Sequence, residues 1–267
     1  MQKQKNVKNN KHDSDKKNTR LAKRIAESGR ASRRDAERLI QAGRVTVNGQ
    51  IVLTPVFFVP DGWEVAVDGK PIVQEQETII WKFHKPNGVI TTKKDPQNRK
   101  TVFDFFDEKE WGRFLSVGRL DINSEGLLLF TNSGSLARKL ELPSSGISRS
   151  YRVRMFGKLD NHIIDELENG ISVNGIHYGP VRVIKYSQKP GASNFWVLIT
   201  LCEGKNREIR KIMEHLGCSV NRLIRVAYGP FRLGNLPVGK SEKVPQRDVM
   251  KLLSELQSVC DDALAKH

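Results

Sequence analysis

One carboxylate, Asp121, stands in a polar turn between two apolar segments. Residues 114–117 indicate a short strand before it, and Leu127 to Phe130 indicate a buried strand after it. Gly118 and Gly126 flank the turn and permit unusual backbone angles or a close approach of another chain. An acid held in this way can be rigid and partly dried, as nucleophilic or acid–base catalysis requires. The same pattern also fits an aspartate that only caps its own turn.

A second stretch, residues 203–211, concentrates cations at the start of a helix predicted over Arg207 to Gly217. A carboxylate in a dry pocket needs a nearby cation to remain ionised, so the two stretches suit each other. Cations in the first turn of a helix are unfavourable, because the helix dipole is positive at that end. Their presence here therefore indicates a site in which positive charge has a function. An ordinary solvated helix start has the same composition.

Three motifs occur in a fixed order: Gly-Arg-Leu-Asp at 118–121, Arg-Ser-Tyr-Arg-Val at 149–153, and Glu-Gly-Lys-Asn-Arg-Glu-Ile-Arg-Lys at 203–211. Together they resemble the motifs of the pseudouridine synthases, in the branch that contains the bacterial ribosomal RNA enzymes RsuA and RluB. This resemblance covers the chain from about Thr19 to about Gly239. It implies that a uridine in RNA is isomerised without metal or cofactor.

The resemblance also implies roles for individual residues. Asp121 is the catalytic carboxylate, acting either as a nucleophile or by driving elimination at the sugar. Tyr151 stacks on the extruded uracil, and Arg210 is the cation that compensates Asp121. Further residues are expected to hold the target nucleotide, its phosphates or the active-site loop: Arg119, Lys205 and Arg207.

The N-terminal region, residues 19–73, reads as a small helix-helix-strand module. Ser32 is a predicted N-cap for a helix from Arg33 to Ala42, and Asn48-Gly49 is a type I′ turn signal between two short strands. Residues 31–34 and 43–49 resemble the S-four type (alpha-L) RNA-binding module of ribosomal proteins. Arginines on this module suit RNA phosphates, which position a protein without reading sequence; they are Arg20, Arg33, Arg34, Arg38 and Arg44, with Lys23 and Arg24 nearby.

The composition agrees with an anionic partner. The chain has 45 Lys and Arg against 30 Asp and Glu, a formal net charge of +15, which indicates RNA, DNA or an acidic membrane surface. No apolar run of about 18 residues and no secretory signal is readable. The three cysteines are widely separated, which argues against a disulfide framework or a zinc site. We therefore expect a cytoplasmic protein without metal, acting as a monomer.

Many short strands with a few interposed helices predict an α+β fold with a largely antiparallel mixed sheet. We expect a disordered basic tail at 1–18, the RNA-binding module at 19–73, a polar linker at 74–77, a catalytic domain at 78–245 and a C-terminal helix at 246–267. Residues 234–241 fit the phosphate-loop pattern G-x-x-x-x-G-K-S, but no helical pattern begins at Ser241. Asp121, Asn123 and Glu125 imitate the start of a calcium loop, which lacks its glutamate at position twelve.

The sequence thus predicts a ribosomal RNA pseudouridine synthase. Lys85 to Gly88, Thr101 to Asp104 and the surroundings of Tyr151 favour the large-subunit enzymes over the small-subunit ones. The first alternative is a non-catalytic RNA-binding or ribosome-assembly factor on the same fold. The second is a nucleotide-dependent NTPase that uses residues 234–241.

Overall fold

The structure, a computed structural model, describes residues 18–72, 77–107, 111–186 and 193–264. Residues 1–17 of the predicted tail and 74–76 of the predicted linker lie outside the described residues. The chain divides into two compact units, Met1–Glu77 and Thr78–His267. Each has its own buried apolar core.

The first unit contains helices α1 (Leu21–Glu27) and α2 (Arg33–Gln41). Ser32 caps α2 as predicted, accepting a hydrogen bond from Asp35 N at 3.0 Å. The short strands are β1 (Thr19–Arg20), β2 (Val45–Val47), β3 (Gln50–Ile51), β4 (Phe58–Val59), β5 (Val65–Val67) and β6 (Lys70–Pro71). Strands β3-β2-β5-β6 form a sheet, while β1 pairs with β4. Asn48 and Gly49 both have positive φ, in agreement with the predicted turn.

The second unit is built on a nine-stranded sheet in the order β13-β14-β10-β15-β9-β7-β17, with β16 beside β15 and β8 beside β9. Only the β15–β9 pair is parallel among the described strands. The strands are β7 (Ile80–Lys85), β8 (Leu115–Val117), β9 (Glu125–Thr131), β10 (Arg149–Phe156), β13 (Val181–Lys185), β14 (Asn194–Leu201), β15 (Ser219–Tyr228), β16 (Phe231–Arg232) and β17 (Ser241–Lys243). A separate hairpin joins β11 (Ile171–Val173) to β12 (Ile176–Tyr178). The predicted α+β class and largely antiparallel sheet are confirmed.

Both faces of this sheet are buried. On β9, Leu127 and Leu129 belong to one core, and Leu128 and Phe130 to the other, as the two-residue period of a strand requires. Helices α3 (Gly134–Glu141) and α6 (Gln246–Leu264) pack into the first core, and α4 (Asn161–Leu167) and α5 (Glu208–His215) into the second. The amphipathic C-terminal helix is therefore present, and it completes the sheet's cover.

Two segments depart from a simple strand pattern. Residues 89–92 contribute only an isolated bridge between Ile90 and Thr101. The strand β15 was not assigned at all, because polar residues interrupt its apolar pattern. Ser241, the last residue of the phosphate-loop pattern, begins a strand that pairs with β7 instead of opening a helix. That removes the basis of the NTPase alternative.

Candidate active site

A cavity of about 680 Å³ opens in the second unit. All six residues that the sequence assigned to catalysis or nucleotide binding line it: Arg119, Asp121, Tyr151, Lys205, Arg207 and Arg210. They come from the turn before β9, from β10, and from the loop before α5 together with the first turn of that helix. The tertiary structure thus gathers three stretches that are far apart in the chain.

The turn that carries Asp121 is fixed by its backbone. Four carbonyl oxygens of residues 120–124 accept hydrogen bonds from other segments. The pairs are Thr91 Oγ1 to Leu120 (2.9 Å), Gly88 N to Ile122 (2.9 Å), Arg210 Nη2 to Asn123 (2.8 Å) and Lys85 Nζ to Ser124 (2.8 Å). Because each bond restrains a different peptide, the Asp121 side chain is presented from a rigid support.

Asp121 itself is half-buried. Its side chain is 37% exposed, and its Oδ2 lies 3.9 Å from Arg207 Nη1. The sequence had assigned Arg210 to this pairing and Arg207 to phosphate binding. Instead, the terminal nitrogens of Arg210 donate to the carbonyls of Val220 and Asn123. Arg207 is therefore the ion-pair partner of Asp121, while Arg210 holds the turn and interacts with Asp121 through its charge. The role of Arg210 as the compensating cation stays a prediction.

Burial lowers the pKa of Arg210, the charge of Arg207 adds to this effect, and Asp121 opposes it. Arg207 precedes α5 with a positive φ of 52°, a left-handed conformation that is uncommon outside glycine. Such conformations cluster at functional sites because the surrounding structure has to maintain them. In this conformation the Arg207 side chain lines the cavity and reaches Asp121.

Lys85 lies fully buried beneath the turn. Its ammonium donates to the carbonyls of Pro86 (3.0 Å) and Ser124 (2.8 Å). Burial lowers the pKa of Lys85 to about 8, while the charges of Asp121 and Glu125 counteract this fall and Arg225 adds to it. A buried cation is therefore built into the support of the turn that carries Asp121.

Tyr151 is 9% exposed and lines the cavity from β10. It also belongs to the buried cluster formed by that face of the sheet. A register shift between Ser150 and Tyr151 interrupts the β10–β15 ladder at this point. Such irregularities re-aim side chains and are common beside active sites.

Two carboxyl groups support the loop before α5. Glu208 is 4% exposed and accepts a hydrogen bond from Lys205 N at 2.9 Å. Burial and the neighbouring Glu203 raise the pKa of Glu208 to about 8. Glu203 accepts hydrogen bonds from Gly179 N (2.7 Å) and from Lys205 Nζ. The Lys205 ammonium, predicted to hold substrate, is thus already paired within the cavity wall.

Arg149 ties this loop to the end of α3. Its guanidinium donates to four carbonyls, those of Cys202, Glu203, Leu140 and Glu141, at 2.6–3.3 Å. Because the residue is 5% exposed, these bonds satisfy a charge that solvent does not reach. Arg149 therefore holds two walls of the cavity together.

In the first unit, Arg33, Arg34 and Arg38 are exposed on α2. Arg20 is exposed too, with its guanidinium 5.7 Å from the centre of the Phe58 ring. Arg44 departs from the prediction of a free phosphate ligand, because it forms a two-pronged ion pair with Asp68 at 2.7 Å.

Arg24, predicted to lie near the RNA-binding arginines, is largely buried. It is 9% exposed and pairs with Asp61 at 2.7 Å. It therefore stabilises the unit from within, whereas Arg33, Arg34 and Arg38 are exposed on α2, with Arg38 Nη1 3.5 Å from Asp35 Oδ1.

Sequence reasoning missed Lys85, Arg149, Glu208 and Arg225 as components of the site. Each is a charged residue that is buried in the folded unit. Arg149 and Glu208 lie within the motifs at 149–153 and 203–211, whereas a charge at a buried position of a strand was the signal for Lys85 and Arg225. Within the described ranges, no group of three or more His, Cys, Asp or Glu side chains could hold a metal ion. No helix there is both long and apolar enough to cross a membrane.

Comparisons with known proteins identify the family of this chain. The family model described as RNA pseudouridylate synthase matches residues 79–215, and the S4 domain model matches residues 19–65. The uncharacterised RNA pseudouridine synthase of Rickettsia felis is 45% identical over 232 residues, covering 87% of this chain and 99% of its own. Ribosomal large subunit pseudouridine synthase B of Escherichia coli is 41% identical over 221 residues, covering 80% and 75%. A crystal structure of a pseudouridylate synthase, 24% identical, superposes with a TM-score of 0.61 over 87% of this chain and 99% of that one.

Proposed function

Because the chain belongs to the RNA pseudouridylate synthase family and is an isomerase that acts on RNA, we propose that it converts one specific uridine of large-subunit ribosomal RNA to pseudouridine. The observation that carries this proposal is the tethered turn, which presents Asp121 to a cavity shared with Tyr151 and Arg207. The ribosomal substrate is supported by the 41% identity to the Escherichia coli enzyme, whose name assigns it to the large subunit.

Each part of the cavity has a task in this reaction. Tyr151 stacks on the extruded uracil, which needs a dry aromatic support once it is out of the helix. Asp121 acts on the sugar, as nucleophile or as the group that drives elimination, with Arg207 as its ion-pair partner and Lys85 beneath its turn. Arg210 acts through the turn as a positioning residue. Arg119 and Lys205 contact the target nucleotide, and no cofactor takes part.

The module of residues 19–73 positions the enzyme on RNA, and the unit of residues 78–245 with the helix Gln246–Leu264 carries the chemistry. The exposed arginines of α2 contribute phosphate contacts that raise affinity without reading sequence. We further propose that the protein works as a monomer in the cytoplasm on ribosomal RNA or an assembly intermediate. Sedimentation of the purified protein and of cell fractions tests both statements.

The experiment maps pseudouridine in ribosomal RNA from cells that lack this protein and that receive the wild type, Asp121→Asn or Asp160→Asn. Asp160 provides the matched control, because it is a partly exposed aspartate of the same unit that lies 3.1 Å from Lys158 Nζ. We expect one large-subunit site to disappear and to return with the wild type and Asp160→Asn only. A site that also returns with Asp121→Asn would remove Asp121 from catalysis.

The same cells distinguish the ribosome-assembly alternative. A binding factor without catalysis predicts an assembly defect that Asp121→Asn corrects as well as the wild type does. If no ribosomal position changes in any strain, the ribosomal assignment is wrong and other RNAs have to be mapped.

A further inference from the structure

Arg225 is a buried cation in the wall of the catalytic cavity. It lines the cavity beside Leu223 and Tyr228 and is only 2% exposed. Its Nε donates to Leu127 O at 2.7 Å, and its guanidinium carbon lies 5.0 Å from the centre of the Tyr228 ring. Its Nη2 is buried and has no hydrogen-bond acceptor in the part of the chain that the structure describes.

Two other arginines of the same sheet, in contrast, have hydrogen-bond acceptors for the terminal nitrogen Nη2. Arg149 places its two terminal nitrogens on four carbonyls and on the Tyr228 hydroxyl. Arg222, three residues before Arg225, forms a two-pronged pair with Glu125 at 2.8 and 2.9 Å. A buried donor without an acceptor is costly, and native structures rarely retain one without a reason. At the wall of a cavity, that reason can be an acceptor that arrives with the substrate.

The strand register places Arg225 between the two proposed catalytic elements. On one side it pairs with Tyr151 of β10, and on the other side with Gly126 of β9, the strand that follows the Asp121 turn. The approach at Gly126 is unusually close, because a Cβ there would lie 2.3 Å from Arg225 O. Tyr151 and Arg225 are therefore direct neighbours on adjacent strands, so a base stacked on Tyr151 lies next to Arg225.

We propose that Arg225 donates from Nη2 to a ring carbonyl oxygen of the target uracil and stabilises the negative charge of the detached base. This inference rests on the proposed isomerase function. When the bond between C1′ and N1 breaks, its electron pair remains on the uracil and spreads over N1 and the ring oxygens. C5 then bonds to C1′, the C5 proton leaves and N1 gains a proton, so nothing is consumed. A preorganised buried donor is most effective where charge develops during a reaction.

The test uses the full-length protein with Arg225→Gln, Arg225→Lys and, as a control, Arg154→Gln. Arg154 is exposed on β10, so the same change there should leave the rate unchanged. Dissociation constants for substrate RNA and single-turnover rates at saturating enzyme are measured separately. We expect RNA affinity to be retained and the Arg225→Gln rate to fall by about 10² to 10³, as on loss of one oxyanion donor.

A second substrate separates charge stabilisation from a merely structural role. RNA with 5-fluorouridine at the target position supplies a base that carries negative charge more easily. The rate at which 5-fluorouridine disappears should therefore depend less on Arg225. We expect the fall in this rate on Arg225→Gln to be about tenfold smaller with 5-fluorouridine than with uridine. Arg225→Lys is compared on both RNAs as well, and it replaces the glutamine variant if the latter does not fold.

Three results would overturn the proposal. They are a folded Arg225→Gln protein with the wild-type rate, a change in RNA affinity alone, and equal losses on both RNAs. A wild-type protein that isomerises no uridine in any RNA would instead refute the proposed function, and this inference with it.

Discussion

Gly126 offers a quantitative test of how the active-site turn is attached to the sheet. It has a φ of +102°, and an added Cβ would lie 2.3 Å from the oxygen and 2.7 Å from the nitrogen of Arg225. These atoms belong to the backbone of the neighbouring strand, so rotation of a side chain cannot relieve the contact. Gly118, at the other end of the turn, has a φ of +68° and nothing within 4 Å of its added Cβ.

The two alanine variants should therefore differ in stability. Gly118→Ala suffers only left-handed strain, about 1–2 kcal/mol. Gly126→Ala suffers that strain and, in addition, an overpacking penalty of about 1–3 kcal/mol, for a total of about 2–5 kcal/mol. The contact is about 1 Å shorter than the ~3.3 Å at which carbon and oxygen normally meet. The parallel pairing of β9 with β15 must open to accommodate it, which displaces Arg225 and the end of the turn.

Urea unfolding followed by tryptophan fluorescence measures the difference. Three of the four tryptophans, Trp81, Trp111 and Trp196, lie in the second unit, so the signal reports mainly on the unit that carries both glycines. We expect the free energy of unfolding to fall further for Gly126→Ala than for Gly118→Ala, together with loss of isomerisation. Equal losses of stability would refute the close-approach argument.

Two other predictions concern pH and salt. The folded protein retains the Glu208 proton up to about pH 8, whereas an ordinary glutamate loses it near 4.5, so the unfolding free energy should decrease as pH rises between these values. Glu208→Gln should reduce this slope in urea titrations from pH 5 to 9, and an unchanged slope would show that Glu208 is ionised in the fold. Replacing Arg33 or Arg34 by Gln should weaken RNA binding and lower the salt dependence by about one ion per lost phosphate contact. Arg44→Gln should alter the salt dependence less because Asp68 already pairs with Arg44, and an equal effect would show that RNA displaces Asp68.

Local sequence determined the parts of this protein that depend on near neighbours. The turn around Asp121, its flanking strands β8 and β9, the capped helix α2 and the Asn48-Gly49 turn follow from apolar period, glycine placement and side-chain capping, which act within a few residues. The three motifs also sufficed to identify the family and six of the residues that line the cavity.

The tertiary structure alone decided how these parts work together. Arg207 forms the ion pair with Asp121 because its left-handed backbone directs its side chain there. The terminal nitrogens of Arg210 instead donate to the carbonyls of Val220 and Asn123. The burial of Lys85 and Arg225 depended on which strands pair across the sheet, above all on the parallel contact of β9 with β15. The two-residue period of a strand shows which face a side chain lies on. It does not show which strand, about a hundred residues away in the chain, will pair with it. The electrostatics of the site, unlike its carboxylate, therefore emerged only when the chain was folded.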